Sequence, residues 1–442
     1  MQSGDFVNAA GMNANSSMTF YGQEKVEYNA KLCLMNMAVH GLTGVIKSGD
    51  EANTFYHDAH NLNGCCDYIM ANPPFNVDKV KAESCENAGR LPFGLPSVNK
   101  NKEVGNANYL WISYFYSYLN EHGRAGFVMA SSATDSQGKD KDIREALIRT
   151  GHVDVMISVG NNYFYTKSLP CSLWFFDKAK SEAIRGKVLF IDARNYYTVV
   201  DRTLNEWSEW QLKNLNAIVW LYRGETEKYK ALLNEYENAI QNGMKKGILA
   251  AQDLCDSLPN AFAAELSDGI ASAKTKTISR DRFKDLFDFI SDFRLISDYS
   301  EGNAIKSADS MTKDQKTKLA LARGFKTYKE YEKRLEILAG VAAQNFEELK
   351  SLVNEACWVY DKFGDGNYTD ILGLCKLATL AEIEEKGWSL TPGAYVGVAP
   401  IEDDGIDFAT RMSEIHRELL SLQAESNDLM DTISQNMKEI GI

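Results

Sequence analysis

The chain has 442 residues, 44% of them hydrophobic and 25% charged, and a formal net charge of −13. That length suffices for two or three domains of an ordinary soluble globular protein, and the acidic balance argues against binding nucleic acid by bulk electrostatics alone. No apolar run is long enough to span a membrane and no signal peptide is evident, while eight cysteines without Cys-x-x-Cys spacing read as free thiols of a reducing cytosol. His57 and His60 lie close together without a thiol or carboxylate pattern, so no metal is expected.

Met1–Met18 is polar, small and rich in Gly and Asn, unlike the usual start of a domain. Thr19–Glu24 reads as a strand ending in an acid. Lys25–Val39 has helical spacing, with Ala30, Leu34, Met37 and Ala38 on the expected buried face and Gly41 as the stop. Val45–Ile46 begins a short strand that ends at Ser48-Gly49-Asp50. Asp67–Met70 reads as a buried parallel strand. It must stop at Asn72-Pro73-Pro74-Phe75, because two prolines cannot continue a ladder. Residues 76–104 are rich in Gly, Pro, Asn and Lys and are expected to form a mobile substrate-side loop. Gly105–Asn108 opens an aromatic-rich helix over Tyr109–Leu119, closed by Gly123. Strands are expected at Gly126–Ala130, Val153–Val159 and Leu173–Phe176, with an edge at Val188–Ile191 and a helix over Lys141–Arg149. Strands alternating with helices imply a parallel α/β sheet.

After residue 205 the character turns helical, over Trp207–Tyr222, Glu225–Gln241 and a Lys/Glu/Ala/Leu-rich stretch to 380. Gly387–Gly393 is a turn-rich connector. A closing helix carries Phe408, Met412, Ile415, Leu419, Leu422, Leu429, Ile433, Met437 and Ile440 as one apolar stripe. The expected division is 1–205, 206–386 and 387–442.

A stiff loop at the carboxyl end of a strand is where open α/β sheets place ligand chemistry. The Asn72 side-chain oxygen and the Pro73 carbonyl can together accept both hydrogens of an exocyclic amino group, and Phe75 can lie against the ring that bears it. The plainer reading is a strand-ending turn with an aromatic anchor. Glu24 can accept the two hydroxyls of a ribose or be a helix-start acid favoured by the macrodipole. Asp50 can take an adenine amino group or be a turn residue. An aromatic in Asn161–Thr166 can stack on a flipped base or belong to the core.

Several blocks resemble the modification (M) subunits of type I restriction-modification systems. They are Tyr21–Glu24 with the helix after it, Ser48-Gly49-Asp50, Met70–Asn76, Gly105–Asn108, Gly123–Val128, Phe164-Tyr165 with Leu169-Pro170, Leu189–Arg194, and Gly387–Gly393 with Tyr395–Gly397. The resemblance implies a class I S-adenosylmethionine-dependent methyltransferase sheet followed by a helical carboxyl-terminal region. It implies transfer of a methyl group to adenine N6 in double-stranded DNA. Asn72, Pro73, Pro74 and Phe75 would be catalytic, Glu24, Asp50 and Asn72 would bind S-adenosylmethionine, and Phe75 and Phe164 would stack on the base. The implied partners are a specificity (S) subunit docked on the closing helix, a second M subunit and a restriction (R) subunit, in a bacterial or archaeal cytoplasm and without a membrane. The family's amino-terminal helical domain and its Asp-Pro-x-Cys-Gly-x-Gly-Gly loop are not found in these residues. The chain therefore resembles an M subunit truncated at its amino end, with a gap expected between the Glu24 and Asn72 strands. Two alternatives stand beside this reading: a truncated chain that only binds partners, and a methyltransferase acting on protein glutamine.

Overall fold

The computed structural model describes residues 2–164, 168–258, 260–276, 278–287, 290, 311–399 and scattered positions between 412 and 433. Residues 1–397 form one compact unit and residues 398–442 a second.

Helices α1 (Gln2–Ala9) and α2 (Ala14–Ser17) lead into strand β1 (Phe20–Glu24), helix α3 (Glu27–Val39) and strand β2 (Gly44–Ser48). Strands β1 and β2 pair in parallel, with Tyr21 opposite Val45 and Glu24 opposite Ser48. Ala30 and Met37 are the buried residues of α3. The other expected core positions, Leu34 and Ala38, are exposed. Two strands make too narrow a floor to cover more than one stripe of a helix, so Tyr28, Leu32, Met35 and Val39 also face outward.

The chain continues through β3 (Cys66–Ala71), β4 (Val80–Lys81), α4 (Ala82–Asn87), β5 (Glu103–Val104), α5 (Asn108–Tyr118), β6 (Leu119–Ala130), α6 (Lys139–Arg149), β7 (Val153–Val159), β8 (Cys171–Asp177) and β9 (Lys187–Asp192). Then come β10 (Thr198–Asp201), β11 (Leu204–Glu206), α7 (Glu209–Tyr222), α8 (Thr226–Ser257), α9 (Asn260–Lys274), α10 (Lys313–Ala322), α11 (Tyr328–Phe363), β12 (Cys375–Thr379) and α12 (Leu380–Glu385). Six strands form the main sheet in the order β12-β9-β7-β8-β6-β3. Strands β3 and β6 are parallel, β7 and β9 are parallel, and β8 runs antiparallel between β6 and β7. One reversed strand wedged beside parallel strands, with helical crossovers α5 and α6, is the sheet of a class I methyltransferase.

A register shift between Val153 and Val155 puts Asp154 in a bulge and turns these two valines to opposite faces. On one face Val155, Ile157, Leu189 and Ile191 pack against α7, α8 and α11. On the other, Met156, Trp174 and Phe190 pack against α5, α6 and residues 388–396. Asp154 is wholly buried, its carboxylate bonded by the Arg223 guanidinium and the Tyr222 hydroxyl (3.0 Å), with the Lys180 ammonium at 3.7 Å.

Several expectations need correction. Strand β3 is not buried but the edge of the main sheet, with Tyr68 67% and Met70 68% exposed, because β1 and β2 form a separate sheet. Strand β9 is internal, since β12 pairs antiparallel to it. The stretch to residue 380 is thus not purely helical. Gly123 does not close α5; it lies inside β6, where a Cβ would come within 2.7 Å of the Cys66 carbonyl. Residues 76–104, expected as one loop, instead carry β4, α4 and β5, and Val80, Ala82, Cys85 and Val104 share a small core with Leu110 and Tyr114. The turn-rich residues 387–396 pack on the sheet: Tyr395 stacks on Phe190 at 3.9 Å, and the Arg144 Nε donates to the Trp388 carbonyl at 2.6 Å. Of the expected closing stripe, Met412, Leu419, Leu429 and Ile433 are helical and exposed. Phe408, Ile415, Leu422, Met437 and Ile440 lie outside the described residues.

Candidate functional site

The prolines end β3 as their chemistry requires, and Asn72 is the first residue beyond the ladder. Asn72 and Pro74 are exposed, Pro73 is buried and Phe75 half-buried. The loop thus presents one amide side chain to solvent while Pro73 is buried and Phe75 packs on the core beside α5 and β6. Phe164, beyond the end of β7, meets Phe75 edge to face with ring centroids 6.4 Å apart. The two candidate stacking residues, 89 positions apart in sequence, are therefore neighbours in space. The loop holding Phe164 is tied to β11, with the Asn205 N–H donating to the Asn162 carbonyl at 2.7 Å. Tyr163, next to Phe164, turns instead towards Trp207, and burial pushes its phenol well above the ordinary range.

Three further residues, Asn76, Asn106 and Asn108, bear on this loop; they lie in blocks that carry the resemblance but were given no role from the sequence. Asn76 follows Phe75 with φ of 53°. Its N–H donates to the Asn108 Oδ1 at 2.9 Å, and its own Oδ1 accepts from the Asn108 Nδ2 (2.9 Å) and the Asn106 Nδ2 (3.0 Å). The signal was present as the Asn-x-Asn spacing at 106–108, but spacing alone gives no partner.

Glu24 and Asp50 sit at the same end of the β1–β2 sheet. Glu24 closes β1, and Asp50 lies two residues beyond its register partner Ser48. Gly49 makes the turn at φ 94°, which favours glycine, and Asp50 opens a short 3-10 turn with its side chain exposed. Glu24 Oε1 accepts from the Val26 N–H at 2.8 Å, which is the helix-start role; that bond leaves the second carboxylate oxygen for a ligand. Neither acid shares a ladder with Asn72, because β1 and β3 belong to different sheets. No group of three or more His, Cys, Asp or Glu suited to a metal occurs among the described residues. A cleft of about 630 Å³ lined by Arg90, Tyr116, Ser117 and Lys178 lies at the amino end of β6, at the opposite end of the sheet from Asn72.

This sheet order, with an Asn-Pro-Pro-Phe loop at the carboxyl end of β3, defines the chain as a class I methyltransferase fold. A family model described as N-6 DNA Methylase matches residues 1–248, more than half of the chain, and the chain belongs to that family. It is 36% identical over 204 residues to the type I restriction enzyme MjaIX methylase subunit of Methanocaldococcus jannaschii, covering 45% of this chain and 35% of that protein. It is 31% identical over 209 residues to the HindI methylase subunit of Haemophilus influenzae, covering 47% and 45%. The chain thus spans between a third and a half of the length of these relatives. A crystal structure of a type I restriction-modification methyltransferase subunit from Streptococcus thermophilus superposes with a TM-score of 0.42 at 20% identity, covering 48% of this chain and 44% of that one.

Proposed function

We propose that the protein is the methyltransferase subunit of a type I restriction-modification system and that Asn72–Phe75 holds a flipped adenine for methylation at N6. The observation that carries this is the Phe75–Phe164 pair beside an exposed Asn72 at the carboxyl end of β3. The Asn72 side-chain oxygen and the Pro73 carbonyl accept from the adenine amino group and orient its lone pair. Phe75 and Phe164 supply apolar surface for the unstacked ring. Glu24 and Asp50 hold the ribose and adenine of S-adenosylmethionine, which when bound supplies an electrophilic methyl on sulfur. Positioning and fixed dipoles then provide most of the acceleration. The DNA-reading chain is an S subunit, which with local basic surface also offsets the net charge of −13. A second M subunit, an R subunit and a cytoplasmic setting complete the proposal.

The test mixes the chain with an S subunit, duplex DNA and S-adenosylmethionine carrying a labelled methyl group. Label recovered as N6-methyladenine supports the reading. Label on a peptide glutamine, or S-subunit binding without methyl transfer under any condition, overturns it.

One further result is expected. The exposed apolar positions Met412, Leu419, Leu429 and Ile433 call for a partner helix. Deleting residues 405–442 should abolish co-purification with the S subunit while residues 1–404 stay in solution. An intact complex would sink the docking role.

A further inference from the structure

We propose that Asn108, acting with Asn76 and Asn106, is the clasp that positions the Asn72–Phe75 loop against the core. The loop leaves an edge strand. Among the described residues β3 has β6 as its ladder partner and lies at the edge of the main sheet. Helix α5 supplies the other restraint. Asn108 is its first residue, 3% exposed, and Tyr109, Leu110 and Ile112 behind it are fully buried, so the side chain projects from a fixed base.

The amide of Asn108 closes a ring with Asn76: its Oδ1 accepts the Asn76 N–H and its Nδ2 donates to the Asn76 Oδ1, both at 2.9 Å. Asn106 Nδ2 donates to the same Asn76 oxygen at 3.0 Å, and Asn106 Oδ1 accepts the Asn108 N–H at 2.9 Å. The Ala107 N–H donates to the Val77 carbonyl at 2.9 Å, extending the attachment by one residue. Asn76 stands at φ 53°, a left-handed conformation that asparagine tolerates better than most side chains. This bend directly follows Phe75, so the clasp sets the direction in which Phe75 meets Phe164 and Asn72 meets a base. Asn108 is thus a positioning residue that need not touch substrate. Asn76 uses its side-chain oxygen only as an acceptor in these bonds, so a carboxylate serves there and a glycine does not.

Only the kinetic arm of the test rests on the methyl-transfer reading. Hydrogen–deuterium exchange on the 442-residue chain follows the amides of residues 72 and 75–78, since Pro73 and Pro74 have none. Asn108→Ala and Asn76→Gly should each speed exchange there by ~10-fold or more, with β7 and β8 unaffected. Asn76→Asp should keep it slow. In an assembly that methylates DNA, Asn108→Ala should lower kcat ~100-fold, as misplacement of a reacting group does, with the KM for S-adenosylmethionine changed less than about threefold. Wild-type exchange in Asn76→Gly, fast exchange in Asn76→Asp, or an effect on KM in place of kcat each overturns the clasp. If the wild-type assembly transfers no methyl group, the function reading fails while the exchange data still decide the clasp.

Discussion

Replacing Asn72 with alanine is expected to lower methyl transfer by ~100-fold or more, the usual cost of one preorganised electrostatic contact. The measurement is kcat for N6-adenine methylation in a complex with an S subunit. Asn72 is exposed and makes no hydrogen bond to the other described residues, while Pro73 and Phe75 carry the packing of the loop. Asn72→Ala should therefore leave the circular dichroism and melting temperature close to those of the parent. Turnover near the parent value would remove Asn72 from the catalytic role and, with it, the reading of the whole loop.

The second large effect is on stability and lies outside the site. Asp154→Asn should destabilise residues 1–397 by about 3–5 kcal/mol, the range for breaking a buried ion pair from one side. The substitution keeps the side chain's shape but leaves the Lys180 ammonium, wholly buried, and the Arg223 guanidinium facing a neutral amide. Burial already pulls Lys180 down to about 8 from 10.5, with Asp154 and Asp177 opposing the fall. The sign follows: a lysine lowered in the folded state costs stability at pH values below about 8, and that cost is relieved as pH rises from about 8 to 10.5. In Asp154→Asn the relief should begin at lower pH. Urea unfolding at pH 7 and pH 9.5 checks both statements. A loss under about 1 kcal/mol at pH 7 would show that the cluster adds nothing net.

What could be read from the sequence depended on whether a signal was local. Strand β7 was legible to the residue, because an apolar run at Val153–Val159 stands between Gly151 and Gly160. The Asn-Pro-Pro-Phe loop was legible because proline stops a ladder wherever it falls. Strand β12 was not, since Cys375–Thr379 mixes polar and apolar residues and pairs with β9, more than 180 residues earlier. The order in residues 76–104 was hidden because it comes from long-range contacts, such as the Arg90 guanidinium over the Tyr114 ring, 4.4 Å from its centroid. Gly123 misled because a glycine after a helix usually marks its end, whereas here it admits the Cys66 carbonyl. At the site, residue types pointed to the chemistry of Asn72 and Phe164. Nothing local could show that Asn76 and Asn108 form a ring.

The edge position of β3 also governs how copies of the chain behave towards one another. Among the described residues β3 has a ladder partner only on the β6 side, and an edge strand carrying exposed Tyr68 is a place where a second strand can add at a spacing of about 4.8 Å. What opposes this is charge. Each copy carries −13, and two copies repel at long range while ionic strength is low. Salt at 0.15 M shortens the reach of that repulsion to about 8 Å, close to the distance at which strands begin to pair. Filament growth should therefore have a salt threshold, with light scattering flat in dilute buffer and rising steeply above it. A peptide that caps the β3 edge should remove that threshold.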